Sequence, residues 1–284
     1  MVEHGPARKG FLASFQFASQ GLSSVLAALF GVGLSAVLSA DQIASWGWRI
    51  PFIFGLLIGP VGLYIRRNIE ETPEFVQSGT SAEASGPLRE LFTHHWVSLL
   101  VAIGLVATST ALNYMISYTP TYAIKQLVLP SWIGFAGSLV GAIMLMLVPP
   151  FVGHWSDLVG RTPVMRGVAI AVLIAILPIF LFLITAPSLP VIVTVLALIG
   201  GLKASYSAAL PALMSEIFPT RTRSTGMNLS YNIGVTLFGG FAPFWNESLI
   251  ALTHTTLAPS FYLMFVAGLS LFSLALVRRK LGLH

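Results

Sequence analysis

Long apolar runs alternate with short polar clusters from one end of the chain to the other. Eight runs stand out, at about residues 11–39, 48–66, 95–122, 132–154, 164–185, 188–217, 225–250 and 260–277. A helix rises about 1.5 Å per residue, so runs of this length can cross roughly 30 Å of hydrocarbon. Glycine and proline recur inside them, at Gly31, Gly33, Pro60, Pro120, Pro149, Pro150, Pro178, Pro211 and Pro243. In a soluble helix these residues would argue against helix. In a membrane bundle, neighbouring helices re-satisfy the backbone groups they free. The pattern predicts an all-α integral membrane protein with eight transmembrane helices. One polar connection is long, Glu70 to His95, with Ser, Gly, Glu and Thr gathered in Gln77–Gly86. It reads as a flexible cytoplasmic linker between two membrane blocks.

Composition supports that class. The 284 residues are 55% hydrophobic and only 9% charged, against about 25% charged in an ordinary soluble domain. One soluble core could not hide so much apolar surface. Charge then sets orientation. With the N-terminus in the cytoplasm, eight spans return the C-terminus there. Of the 15 Lys and Arg residues, only Arg49 and Lys125 then lie outside, and Lys203 lies within a span. The excess of basic residues on one side predicts a multi-pass protein of a cell (inner or plasma) membrane with both termini cytoplasmic. The net charge of +5 comes from these flanking residues, so the bilayer, and no nucleic acid, is the expected partner. The absence of cysteine excludes disulfides, thiolate metal sites and cysteine nucleophiles. Met1–Gly10 is polar and the run after it is span-length, so no cleavable signal peptide is expected.

An internal echo suggests a repeat. Gly10-Phe-Leu-Ala-Ser14-Phe15 opens the first run, and Gly226-Met-Asn-Leu-Ser230-Tyr231 opens the seventh. Each follows basic residues, Arg8 and Lys9 or Arg221 and Arg223. If the two runs are equivalent, the period is six spans. Spans three to eight then form one complete unit, and spans one and two are the last pair of another.

Several motifs carry a family resemblance. Gly153-His154-Trp155-Ser156-Asp157-Leu158-Val159-Gly160-Arg161 lies between two apolar runs and reads as a tight turn at the membrane surface. Its Asp157 is able to accept helix-start amides, its Gly160 permits a reversal, and its Arg161 offers a planar fork of donors. This spacing resembles the signature loop of the major facilitator superfamily, although Leu158 and Thr162 stand where basic residues are usual. Arg8–Gln16, Trp46-Gly47-Trp48-Arg49-Ile50-Pro51-Phe52, Glu70-Glu71-Thr72-Pro73-Glu74-Phe75 and Glu216–Arg223 are similar to motifs of its metabolite–proton symporter branch. That branch includes transporters for citrate, 2-oxoglutarate, shikimate and proline or betaine. The resemblance implies a partial major facilitator fold. Residues 1–69 would be the last two helices of an incomplete N-terminal half, 70–94 the cytoplasmic linker, and 95–284 a complete six-helix C-terminal half. The first four helices would be absent, making the chain a truncated, non-autonomous form that a missing four-helix N-terminal segment completes. The implied function is secondary active transport of a small metabolite, an organic acid such as a di- or tricarboxylate, by proton symport with alternating access. An eight-span non-transporting interaction or sensor protein is the alternative.

The candidate gate on the cytoplasmic side is Gly153, Asp157, Gly160, Arg161, Glu216 and Arg221. Its acids and bases read as Asp157–Arg161 and Glu216–Arg221 pairs that hold in one state and part in the other. Pairs worth about 0.2–1 kcal/mol suit such a reversible latch. The substrate-binding candidates are Lys203, Tyr206, Ser207, Asn113, Tyr114, Asn232 and Gln16. Spacings of three and four place Asn113 and Tyr114 with Tyr118, and Lys203 with Tyr206 and Ser207, on helical faces. Polar stripes in a span face protein or water. Bonding between helices and contact with substrate both fit them.

Lys203 lies about 20 Å from either end of its run, too deep to snorkel. It is held neutral by burial, paired with an acid from the missing helices, or set in a watery cavity awaiting an anion. Gly200-Gly201, which thin the helix, favour the last. The ten acidic residues lie in loops or at span ends, so a proton-carrying carboxylate is expected outside this chain. His94-His95 has no acid at a useful spacing, and His154, Ser156 and Asp157 are too close in sequence for a triad. No catalytic residue, metal site or cofactor is expected.

Overall fold

The computed structural model describes residues 9–68, 87–219 and 221–281. Within them every regular element is helical. Among the described residues, seven helical stretches are long and apolar enough to cross a membrane, Ala40–Tyr64 counting as one. The Glu70–Phe75 motif, Arg8 and the linker up to Gly86 lie outside the described residues.

The first run forms α1 (Lys9–Val37). Ser39 then caps a single turn, α2 (Ala40–Gln42), through a reciprocal pair of bonds with Gln42, the capping-box arrangement. The chain therefore reverses at Leu38–Ser39, earlier than position 48. Trp46–Phe52 falls inside helical structure, in a π-helical turn (Ile43–Gly47) and the start of α3 (Arg49–Gly55). The Arg49 guanidinium sits over the Trp48 ring at 4.5 Å, which orders the motif locally. After α4 (Ile58–Asn68), the last eight residues of the expected linker form α5 (Pro87–His94). Leu91 on α5 is fully buried, so this end of the linker is docked.

Long helices follow: α6 (Trp96–Lys125), α7 (Ser131–Val159), α8 (Arg161–Thr185) and α9 (Leu189–Ile217). The 225–250 run is not among the seven qualifying spans. There the chain makes α10 (Arg223–Val235), a π-helical turn (Thr236–Gly240) and α11 (Ala242–Thr253). The turn is held from outside by Tyr262, whose hydroxyl donates to the Phe238 carbonyl at 2.7 Å. The last described elements are α12 (Ala258–Leu276) and a π-helical turn (Val277–Leu281).

Helix α6 is buried along most of its length and touches α7, α9, α10 and α12. Two apolar clusters fill the body. One surrounds Tyr122, Phe180 and Val195; the other surrounds Leu105, Leu210 and Phe218. Helix α1 lies along α7 and also meets α9. Its buried positions, Gly10, Ala13, Ser14, Phe17, Gly21 and Ala28, fall at the three-, four- and seven-residue spacings of one helical stripe. Helices α2 to α4 are built differently. Phe52, Leu56, Ile58 and Tyr64 are each at least 70% exposed. The Phe30–Phe54 ring pair, 5.3 Å between centroids, ties α3 to α1.

Candidate functional site

The signature stretch is helical through Val159. The turn is Gly160 alone, with φ 100° and ψ 151°, and α8 begins at the next residue. This region of φ/ψ is essentially reserved for glycine. The sequence expectation of a tight turn over the whole stretch is thus corrected: Gly153 to Val159 extend α7 by nearly two turns. The extension carries Asp157 to the start of α1. Its carboxylate accepts the Gly10 and Phe11 amides at 2.8 and 2.9 Å. These are orphan donors of a helix's first turn, at the positive end of its dipole. Gly153 lets α7 and α1 meet, since a Cβ there would lie 2.7 Å from the Gly10 carbonyl oxygen.

Arg161 links this cap to the rest of the body. One guanidinium nitrogen reaches Asp157 at 3.5 Å, and another donates to Glu216 at the end of α9. Among the described residues, the ion pairs seen at this surface differ from the expected Glu216–Arg221 pair. Glu216 goes to Arg161, while Arg221 reaches Glu90 on α5 at 3.5 Å. The reason is spatial: Arg161 opens α8 beside the end of α9, and docking of α5 brings an acid to Arg221.

Deep in the bundle, Lys203 is 2% exposed. Its ammonium donates to Ser109 Oγ at 2.9 Å and Ser207 Oγ at 2.8 Å, and those hydroxyls share a bond of 2.9 Å. The Phe17 ring of α1 lies over the ammonium, 4.4 Å from nitrogen to centroid. Among the described residues, no ion pair includes Lys203. Two readings of its surroundings change. Tyr206 turns away and donates to the Leu105 carbonyl at 3.0 Å. Gly200 serves helix packing, because a Cβ there would fall 2.8 Å from Gly141 Cα on α7.

The remaining candidates do not converge on Lys203. Gln16 lines a cavity of about 850 Å³ with Ser19, Ser215 and Arg223. It also lines an adjoining pocket of about 90 Å³ with Phe17, Asn228 and Tyr231. Asn113 lines another pocket, of about 210 Å³, with Ser24, Ser117 and Ser138. Tyr114 packs where a Cβ on Gly239 would sit. The Asn232 amide donates to Asn228 O on its own helix at 2.8 Å. At the far end, Tyr118 donates to Glu247 at 2.7 Å and Lys125 to the same oxygen at 3.1 Å, tying α6 to α11. Sequence reasoning missed Ser109 and Phe17. Ser109 is four residues before Asn113, so extending that stripe by one turn would have found it. Phe17 carried no signal among so many apolar neighbours.

Residues 3–243 match the Major Facilitator Superfamily. A citrate-proton symporter of Klebsiella pneumoniae is 33% identical over 279 residues, covering 97% of this chain and 62% of that protein. A citrate-proton symporter of Salmonella typhi is 32% identical, over 98% of this chain and 64% of the relative. An ectoine/proline transporter of Corynebacterium glutamicum is 34% identical, over 93% and 56%. The chain spans less than two thirds of the length of these relatives. With a family match over most of its residues and an all-helical, span-rich fold, the chain belongs to the major facilitator superfamily.

Proposed function

We propose that this chain is part of a secondary transporter that carries a small carboxylate-bearing metabolite across a cell membrane together with protons. The observation that carries the reading is Lys203, a buried, hydroxyl-held ammonium with no acid paired to it among the described residues. A lysine near the bilayer centre costs roughly 2.5–3.5 kcal/mol on insertion scales, and a charge placed there without a carboxylate partner suits an anionic solute. Citrate, ectoine and proline, named for the relatives, all bear a carboxylate. An organic acid with several carboxylates gains most from a full positive charge.

In this reading residues 95–284 form the complete half, and α1 with α2–α4 belongs to the other, joined by the 70–94 segment. Alternating access rocks one half on the other about a midplane site. The Asp157–α1 cap and the Arg161–Glu216 pair latch the cytoplasmic side in one of the two states. The second wall of the site comes from a further four helices.

Three uptake measurements test this. Purified 284-residue chain in vesicles is expected to show no proton-linked uptake. Fusion to the four N-terminal helices of the Klebsiella pneumoniae symporter should give uptake of citrate above betaine. Lys203→Met in that fusion should lower citrate uptake at least tenfold. Uptake by the chain alone would sink the two-wall reading, and unchanged citrate affinity in the Met variant would remove Lys203 as the anchor. Topology is tested separately. Reporter fusions after Thr80 and His284 should be cytoplasmic and one near Lys125 external. An external report from Thr80 would overturn the orientation.

A further inference from the structure

We propose that Phe17 is the removable cover of the carboxylate position on Lys203: its ring stands where a solute oxygen sits when the site is filled. The proposal rests on Lys203 being the anchor, and it deepens that reading by naming what occupies the site when no solute is bound.

An ammonium has three donors. Ser109 and Ser207 take two of them, at 2.9 and 2.8 Å. The remaining side faces the Phe17 ring at 4.4 Å, within the range at which the negative face of an aromatic ring attracts a cation. A ring face is a weaker partner than a carboxylate, whose charge-assisted bonds are short and strong. The third position is thus occupied well enough to keep the lysine buried and weakly enough to be exchanged.

Phe17 is also where the exchange would take place. It is 3% exposed, yet it lines the 90 Å³ pocket shared with Gln16 and Asn228. Gln16 and Met227 line both that pocket and the 850 Å³ cavity. Phe17 therefore stands between the smaller pocket and the ammonium, and the larger, solute-sized cavity adjoins that pocket at Gln16, Pro211 and Met227. Phe17 comes from α1, whereas Ser109, Lys203 and Ser207 come from α6 and α9. Any shift of α1 against α9 uncovers or covers the lysine. Occupancy of the site and the relative position of the two blocks become one event, which is what a rocking transporter requires of a binding residue.

The test is made in detergent on the purified fusion with the four N-terminal helices, which supplies both walls of the site. Reductive methylation of lysines is followed peptide by peptide by mass spectrometry. Lys203 should react at least tenfold more slowly than Lys125, which is exposed. Phe17→Ala should raise the Lys203 rate at least tenfold, and added citrate should reverse that rise. Phe30→Ala, which truncates another ring of the same helix, should leave Lys203 protected. An equal rise in both variants means that α1 has merely loosened, and it overturns the proposal. So does an unchanged rate in Phe17→Ala, with the anchor reading left to the Lys203→Met uptake test. A rise that neither citrate nor proline reverses overturns the cover and the carboxylate reading together.

Discussion

Asp157→Ala is expected to free the first turn of α1 from the body. The carboxylate holds two amides that have no partner within their own helix, at 2.8 and 2.9 Å, and its side chain is only 7% exposed. Hydrogen bonds to a charged group contribute roughly 1.5–3 kcal/mol each, and water recovers part of that when the turn opens. A net loss of about 2–3 kcal/mol follows, a factor of about 30 to 150 in the opening equilibrium. The chain has no cysteine, so a single Ser14→Cys variant reports the opening directly. Ser14 is fully buried, and its side chain lies where a Cβ on Gly153 would sit. Maleimide labelling of Cys at position 14 should accelerate by that factor in Asp157→Ala. Asp157→Asn keeps one acceptor and loses the charge, so about tenfold is expected. Unchanged labelling in both variants would show that α1 is held by its apolar stripe alone.

The cap is not a surface ion pair, and salt separates the two. At 1 M salt the screening length is about 3 Å, enough to weaken an exposed contact such as Lys125–Glu247, where the lysine is 58% exposed. The bonds from Asp157 to the α1 amides are made by a side chain only 7% exposed, and buried contacts are screened much less. One carboxylate on α7 thus joins the start of α1 to Arg161 on α8, and through Arg161 to Glu216 on α9. For the proposed latch this matters: the element that must move is fastened at its tip by bonds that break together.

Most of the expected spans were legible because hydropathy and length set them, the 225–250 run being the exception. The run expected at 188–217 is α9 at Leu189–Ile217, and 164–185 lies inside α8. Where expectation failed, a polar stretch was helical for tertiary reasons. Gly153–Val159 looked like a turn because it holds glycine, serine and aspartate. It stays helical because Asp157 finds donors on another helix and Ser156 bonds back to Gly153 O at 2.8 Å. Helix α5 hid in the linker because it is only eight residues long and of its apolar residues Leu91 is buried while Leu88 and Phe92 are exposed. The π-helical turn at Thr236–Gly240 depends on Tyr262, 24 residues away, and no local pattern announces it. Lys203 was conspicuous as a charge within a span, but its partners were not. Ser109 lies 94 residues away, and Phe17 is one phenylalanine among 19.

Gly21→Leu is expected to undock α1 while leaving the body of α6 to α12 folded. At Gly21 the helices approach backbone to backbone: a Cβ there would fall 2.6 Å from Met146 Cα on α7. Atoms cannot share that space, and Met146 backbone cannot yield without bending α7. Overpacking a well-filled contact costs typically 1–3 kcal/mol, and a backbone obstacle sits at or above the top of that range. Nothing in the bilayer compensates, because lipid is as apolar as the displaced side chains and helix association there rests on packing. Gly33 supplies the control, since a Cβ on it meets nothing within 4 Å. Leucine raises helix propensity by about the same amount at either glycine, so the difference between the two variants isolates the clash. Labelling of Ser14→Cys should rise about 100-fold in Gly21→Leu, the equivalent of about 2.7 kcal/mol, and stay within about twofold in Gly33→Leu. Lys203 methylation should rise with it, because Phe17 leaves when α1 does. Helical content by circular dichroism should stay unchanged in both. Equal labelling in the two variants would mean that α1 is not seated on α7 at Gly21, and the wall that Phe17 places over Lys203 would lose its support.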